Sequence, residues 1–211
     1  MKRREIVVAG HRVKAPLDVV VDYAAQFGGT LAKYDFGDRG VPDVLTGEEI
    51  WRTRIIRSRV TYAERNEIER VAAECAPLWA AIRFDANIRG ADPSESSGTY
   101  ADMLELYTRL IGVPGVSTAK ASKILHFKRP HLYPILDSRL ARLYRDSASK
   151  AAQDYPKLGF RTMYWAAVRN DVLMNEEPLR TLRADFSSVE SPFMLGELTD
   201  VRVLDILSWS L

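Results

Sequence analysis

The feature of this chain that most limits its fold is a set of helix-start signals. Thr46 and Thr61 are each followed three residues later by a glutamate, and Thr99 is followed at the same spacing by Asp102. In such a capping box the threonine hydroxyl accepts from the amide three residues on. The acidic side chain accepts from the backbone amide of the threonine, or interacts favourably with the positive end of the helix dipole. Three of these signals predict a mainly α-helical fold.

The rest of the chain adds one candidate for extended structure and one candidate linker. Residues 5–14 alternate loosely between apolar and polar side chains around Gly10, which predicts a short N-terminal strand or hairpin. Residues 85–98 are rich in serine, glycine and proline, as linkers are. We therefore expect one compact unit made of three segments: an N-terminal helical lobe (1–90), a segment that carries the chemistry (91–150) and C-terminal helices that complete the core (151–211).

The composition is that of an ordinary soluble globular protein, with 46% hydrophobic and 27% charged residues. No apolar run approaches the roughly 18 residues of a membrane span. A single cysteine, Cys75, excludes an internal disulfide and a four-cysteine iron–sulfur cluster, and the three histidines show no zinc-ligand spacing. We expect a monomeric cytoplasmic protein without a bound metal and without a membrane partner.

The positive charge of the chain is concentrated in one window. The net charge is only +2, but residues 117–150 contain eight basic residues against two acidic ones, so the remainder of the chain is net negative. A basic stripe on a mildly acidic body suits a polyanion contacted on one face. A solvated helical surface would carry the same charges, and charge alone does not separate the two interpretations.

The segment 101–144 is the most informative. Two predicted helices, 100–111 and 118–127, are joined by a short turn in which Gly115 lets the backbone reverse without steric cost. The amides of Gly115, Ser117 and Thr118 would then lie free at a helix N-terminus, where they can bind one phosphate of a DNA backbone. The small side chain of Ala121 allows the two helices to approach closely. A turn that serves the fold alone is the alternative.

This segment resembles the helix-hairpin-helix DNA glycosylases. That family has a Pro-Gly-Val-Gly turn, two residues, Thr-Ala, a helix, a proline, and then an apolar run that ends in Asp-Thr-x-Val-x-Arg-Val. Here Pro114-Gly115-Val116-Ser117 leads without a gap to Ile135-Leu136-Asp137-Ser138-Arg139-Leu140-Ala141-Arg142-Leu143. The spacing looks the same as in the family. The resemblance implies that Asp137 is the catalytic aspartate of a two-lobed, DNA-glycosylase-like helical bundle acting on double-stranded DNA.

The resemblance also has consequences for the reaction. Ala119 occupies the position at which bifunctional members carry a Schiff-base lysine, and Lys120 would point some 100° away around the helix. We therefore expect a monofunctional enzyme without lyase activity. The resemblance further implies DNA-backbone contacts by Lys120 and Lys123, and a monovalent cation at the hairpin carbonyls. Four aromatic residues are candidate walls of a pocket for the flipped base: Tyr34, Phe36, Trp79 and Tyr133.

Other interpretations remain open at this point. An aspartate directly before Ser138 would also serve as a plain helix N-cap, and capping does not exclude catalysis. The chain could instead be a non-catalytic helix-hairpin-helix DNA-binding protein, or a degenerate glycosylase scaffold used for protein interaction. The basic side chains can solvate a helix, and tryptophans such as Trp79 can be core residues.

Overall fold

The structure is a computed structural model that describes residues 5–156 and 163–211. Within these ranges the chain is mostly helical, and its only sheet pairs β1 (Val7–Val8) with β2 (His11–Arg12) in antiparallel register. The prediction of a mainly α fold with a short N-terminal hairpin is therefore confirmed. None of the helices in these ranges is both long and apolar enough to cross a membrane.

Eleven α-helices occur in the described ranges. They are α1 (Pro16–Thr30), α2 (Gly47–Arg52), α3 (Tyr62–Glu74), α4 (Ala76–Ala81), α5 (Thr99–Ile111), α6 (Thr118–Lys128), α7 (Ser138–Leu143), α8 (Arg145–Asp154), α9 (Met163–Met174), α10 (Glu176–Phe186) and α11 (Asp200–Ser208). A π-helical turn continues α1 (Leu31–Asp35), and the described residues also form three 3₁₀ turns (Thr53–Ile56, Ile88–Gly90 and Leu195–Glu197).

Two of the three predicted capping boxes form. Thr46 and Thr61 each accept from the backbone amide three residues on at 3.3 Å, and in return the glutamate carboxylates accept from the threonine amides. The third prediction is wrong, because α5 begins at Thr99 itself. The N-cap position belongs to Gly98, whose φ of +97° turns the chain one residue earlier and which brings no side-chain oxygen.

The buried side chains form two large clusters, and each draws on a different part of the chain. The first joins the N-terminal hairpin and α1 to α7–α11, and the second is built from α2–α6. The expected segments 1–90, 91–150 and 151–211 do not correspond to these clusters, because most of the buried apolar residues between positions 45 and 133 share one core and the N-terminus packs with the C-terminal helices. The expected linker at 85–98 is also anchored, since Ile88 is buried in the first cluster and Ala91 in the second.

The N-terminal hairpin is held by two polar side chains four residues apart, Asp171 on α9 and Asn175 between α9 and α10. Asp171 accepts from the amide of Ala9 and from the hydroxyl of Tyr144, both at 2.7 Å. Asn175 accepts from the amide of Val7 at 2.9 Å and donates to its carbonyl at 2.7 Å. These bonds satisfy backbone groups that a two-residue strand would otherwise leave unpaired, and they close the first cluster around α9.

Candidate active site

Asp137 is the N-cap of α7, as its position before Ser138 predicts. One carboxylate oxygen, Oδ1, accepts from the amides of Arg139 and Leu140 at 3.0 Å each. The other oxygen, Oδ2, has no hydrogen-bond partner in the described part of the chain. The side chain is half-buried and lines a cavity, so the same residue both begins a helix and presents a carboxylate oxygen to an open space.

The cavity at Asp137 has a volume of about 320 Å³ and lies where the elements of the two clusters meet. Its walls come from α1, the 3₁₀ turn Thr53–Ile56, α6, α11 and the chain that leads into α7. This volume is at the lower end of the range for small-molecule sites, roughly 300 to 1,000 Å³. A space of this size suits one small planar group.

Aromatic rings form one side of the cavity. Tyr23 and Phe27 project from successive turns of α1 with ring centroids 4.9 Å apart, and the ring of Trp209 lies 6.4 Å from that of Phe27. Phe27 and Trp209 are 40% and 49% exposed, which is unusual for such large apolar side chains. Exposed rings at the mouth of a cavity can stack on a planar ligand.

A buried ion-pair network lines the cavity beside Asp137. Arg202 donates two hydrogen bonds to Asp35, at 2.8 and 3.1 Å, a third to the hydroxyl of Tyr23 at 2.7 Å, and a further bond to Asp205. Burial raises the pKa of Asp205 to about 6, against the opposing charge of Arg202 and with a further upward contribution from the negative charge of Asp137. Two interacting carboxylates, Asp137 and Asp205, therefore line the same cavity.

Lys123 also lines this cavity and is not a surface cation. Its ammonium group donates to the carbonyl of Ile56 at 2.8 Å, and its own carbonyl accepts from the hydroxyl of Tyr34 at 2.7 Å. Burial lowers the pKa of the lysine, while the nearby Asp137 acts in the opposite direction. The sequence prediction of a DNA-backbone contact by Lys123 is not supported by this placement, which puts the amine beside the candidate catalytic acid.

The turn between α5 and α6 has the geometry that the sequence predicts. Gly115 has a φ of +84°, Ser117 caps α6 through the amide of Lys120 at 3.3 Å, and Ala121 is fully buried. Tyr107 joins the two helices by donating to the hydroxyl of Thr118 at 2.9 Å. Within the described ranges, the amides of Gly115, Ser117 and Thr118 donate to no acceptor. A phosphate-binding site requires such free amides.

Lys120 forms an ion pair with Glu64 at this same turn. Its ammonium group donates to both carboxylate oxygens of Glu64, at 2.7 and 2.8 Å, and to the carbonyl of Gly115 at 3.0 Å. The lysine is therefore not free to make the DNA-backbone contact that we expect from the sequence. The ammonium group also donates to the carbonyl of Gly115, which is one of the hairpin carbonyls that would bind the monovalent cation implied by the resemblance. Glu64 places a negative charge beside the amides that would hold a phosphate.

The four aromatic residues predicted to line a base pocket lie elsewhere. Trp79 and Tyr133 are buried in the second cluster, and Tyr34 is 1% exposed between His126 and Phe127. Phe36 stacks on Phe193, with centroids 6.2 Å apart. None of the four lines the cavity at Asp137, and the aromatic residues that do line it are Tyr23, Phe27 and Trp209. Apolar character alone cannot separate a core ring from a cavity ring, and the sequence offers no stronger signal.

The basic stripe predicted for residues 117–150 is partly internal. Lys128 pairs with Glu49, and Arg129 pairs with Asp43 at 2.9 Å, and both basic side chains are fully buried. Arg129 also donates to the carbonyls of Ile82, Trp79 and Pro42. These groups hold α6 against the loop that precedes α2, and they are not available to a polyanion.

A larger cavity lies away from these residues. It has a volume of about 620 Å³ between the N-terminal hairpin, the start of α1 and α10, and it is bordered by charges of both signs, of which Arg12 and Glu5 already pair at 3.0 Å. None of the site residues predicted from the sequence reaches it. Size alone does not make it the better candidate, because it lacks a convergent set of charged and aromatic groups.

Comparison with known proteins identifies a family. Residues 29–211 match the model of the Family of unknown function (DUF6308). The chain belongs to this family. The match includes Asp137, Lys123, Arg202, Asp205 and the hairpin, whereas Tyr23 and Phe27 precede it. Searches among curated proteins and among solved structures found no match.

Proposed function

We propose that this member of the family is a monofunctional DNA N-glycosylase, which hydrolyses the N-glycosidic bond of a damaged or modified base. The observation that carries the proposal is the placement of Asp137. Its Oδ1 caps α7, while its Oδ2 remains unbonded at a cavity of about 320 Å³ between the two clusters. The spacing from the hairpin to this aspartate supports the same assignment.

The chemistry suits a fixed carboxylate. When the bond between C1′ and the base nitrogen breaks, the bonding electrons leave with the base and positive charge develops on the sugar. The Asp137 carboxylate stabilises that charge, and water then adds at C1′ and passes its proton to the departed base, which becomes neutral. The helix amides that bind Oδ1 hold the carboxylate in one orientation, so little reorganisation accompanies the reaction.

The rings at the cavity mouth supply the place for the base. A base that leaves the duplex stack needs a new stacking partner, and Tyr23, Phe27 and Trp209 offer exposed or cavity-lining rings beside Asp137. Asp205 is tied to Arg202, so we assign it to the cavity wall and not to the reaction.

The proposal includes no lyase step. A β-lyase needs an amine that attacks C1′ after base loss. Ala119 offers none, and the amine of Lys120 is bonded to Glu64. Lys123 is the amine that lines the cavity, and its hydrogen bond to Ile56 holds it at the wall. Borohydride trapping on DNA that contains an abasic site checks this point, because a covalent adduct that forms with the wild type and not with Lys123→Gln would show that Lys123 acts as a nucleophile.

The proposal is tested with a panel of duplex oligonucleotides, each carrying one modified base. We expect the wild-type protein to produce alkali-labile abasic sites in at least one duplex. Asp137→Asn should lower the single-turnover rate by about 10² or more. Asparagine is as good an N-cap as aspartate, so this variant keeps α7 and isolates the loss of charge. Wild-type protein that releases none of the bases, or Asp137→Asn protein that releases them at the wild-type rate, would contradict the proposal.

A further inference from the structure

The segment between α2 and α3 carries three arginines with no acidic partner. Arg54, Arg57 and Arg59 are exposed, and in the ranges that the structure describes no carboxylate pairs with them. This contrasts with Lys128 and Arg129, whose charges are neutralised by buried or loop carboxylates. Three like charges within six residues repel one another, and the repulsion is relieved only by salt ions or by an anionic ligand.

The backbone holds these arginines in fixed positions at a local cost. Arg57 and Arg59 have φ values of +60° and +51°, in the left-handed region that long side chains rarely adopt. Between them Ser58 is buried, its hydroxyl bonded to that of Thr53 at 2.7 Å and its amide to the Thr53 carbonyl at 3.3 Å. The buried serine anchors the turn, and the two flanking arginines extend into solvent.

These arginines line an open groove of about 650 Å³ together with aromatic rings. Trp51 and Tyr62 lie 4.6 Å apart, and the guanidinium group of Arg54 lies 4.5 Å from the centre of the Trp51 ring. Tyr62 is 69% exposed. Guanidinium groups bind phosphate oxygens in a bidentate manner, and neighbouring aromatic rings accept bases or sugars.

The groove lies next to the cavity that contains Asp137. Arg57 lines both, and Ile55 and Ile56 of the same turn form the adjoining cavity wall. A strand whose phosphates contact the groove would therefore lie close to the cavity. The hairpin amides are less suited to that task, because the Glu64 carboxylate lies beside Gly115.

We propose that the groove lined by Arg54, Arg57 and Arg59 binds the phosphodiester backbone of the DNA strand whose base enters the Asp137 cavity. The choice of DNA rests on the proposed function, whereas phosphate binding rests on the groove itself. Because backbone contacts carry no sequence information, the groove sets the position and orientation of the strand rather than the choice of base.

The test is the affinity for a short duplex that contains a stable abasic analogue, measured by fluorescence anisotropy between about 50 and 200 mM salt. The groove variant is Arg54→Gln/Arg57→Gln/Arg59→Gln. The control with the same change in charge is Arg70→Gln/Arg83→Gln/Arg180→Gln, because these exposed arginines lie on other surfaces and do not line the groove.

We expect the groove variant to bind roughly tenfold more weakly or worse, and its salt slope to fall by about 0.9 for each phosphate that the protein no longer neutralises. The control should bind as the wild type does. A groove variant with wild-type affinity, or equally weakened binding in both variants, would overturn the proposal. The proposal would also be overturned if the wild-type protein did not bind the duplex but bound anionic vesicles or acidic peptides through these arginines.

The outcome is separable from that of the proposed function. If the duplex binds through the three arginines and no base is ever released, the glycosylase proposal fails and the groove remains. If base release depends on Asp137 but the groove variant binds and reacts as the wild type does, the groove proposal fails and the enzyme remains. Circular dichroism of both triple variants checks that each is folded.

Discussion

At the scale of single residues, His126 shows how strongly this interior controls protonation. The ring is fully buried, stacks on Tyr34 with centroids 5.9 Å apart, and donates from Nδ1 to the carbonyl of Tyr133 at 2.7 Å. Burial, aided by the positive charge of Arg202, lowers the pKa of His126 to about 3. The folded protein therefore contains a neutral histidine throughout the physiological range.

This pKa shift predicts a component of acid instability. The unfolded chain takes up a proton near pH 6.5 and the folded chain only near pH 3, so the stability from this group is complete above pH 6.5 and is lost as the pH falls to 3. The loss reaches about 5 kcal/mol at most. We expect the free energy of unfolding of His126→Asn to fall less steeply with acidification than that of the wild type. Equal slopes in urea titrations across this window would contradict the assignment.

Asp137 is the residue at which sequence and structure agree most closely. Its role as the cap of α7 follows from local chemistry alone, since a short acidic side chain before a helix accepts from the first free amides. Whether the second oxygen meets an open space depends on α1 and α11, which are distant in the sequence. The sequence therefore predicts the residue, and the exposure of its Oδ2 is set by tertiary packing.

At the scale of elements, the turn between α5 and α6 depends on Gly115. Its φ of +84° disfavours any side chain, and a Cβ at this position would collide with the carboxylate of Glu64. We expect Gly115→Ala to lower the free energy of unfolding by roughly 1 to 2 kcal/mol. Gly29→Ala is the matched control, because a Cβ on this helical glycine meets nothing within 4 Å. That variant should be neutral or slightly more stable.

Thermal or urea unfolding of the two glycine variants provides the measurement. If Gly115→Ala proves as stable as Gly29→Ala, the turn does not need its left-handed residue and the predicted close contact with Glu64 is absent. A DNA-binding assay on the same variants would then show whether the turn contributes to affinity separately from its effect on stability.

The elements also show where local prediction stops. Thr46 and Thr61 form their capping boxes because every group involved lies within four residues. Thr99 does not form a capping box because Gly98 is the N-cap residue, and the helix therefore begins one residue earlier than predicted. The sequence does not predict which aromatic residues line the cavity, for a different reason. Trp79 and Phe27 have similar apolar character, and only tertiary packing, with α4 inside a core and α1 at its edge, distinguishes them.

At the scale of the whole molecule, the two clusters meet at the cavity, and charged and aromatic contacts join them. Trp165 of α9 reaches into the second cluster and packs edge-on against Tyr107 and Tyr133, with centroids 4.8 and 5.5 Å away. The predicted segments missed this arrangement, because the sequence contains no signal that the first thirty residues pack with the last fifty. Long-range packing decides it.

The buried network around Arg202 gives a prediction at this scale. Arg202→Met would leave Asp35 and Asp205 buried without their cation, and we expect a loss of about 3 to 5 kcal/mol in the free energy of unfolding. Arg12→Met breaks an exposed pair with Glu5 and should cost less than about 1 kcal/mol. Urea unfolding of both variants is the measurement, and similar losses in the two would show that the network does not hold α11 against α1.

The central claim is that the Asp137 carboxylate stabilises the sugar cation when a base leaves. The most direct measurement is the single-turnover rate at which free base is released from a modified duplex, with the base detected by mass spectrometry. The rate is compared between the wild type and Asp137→Asn at equal DNA occupancy. We expect base release by the wild type and a rate about 10² or more lower in the variant, with DNA affinity retained. Equal rates in the two proteins, or no released base from any duplex that binds, would contradict it.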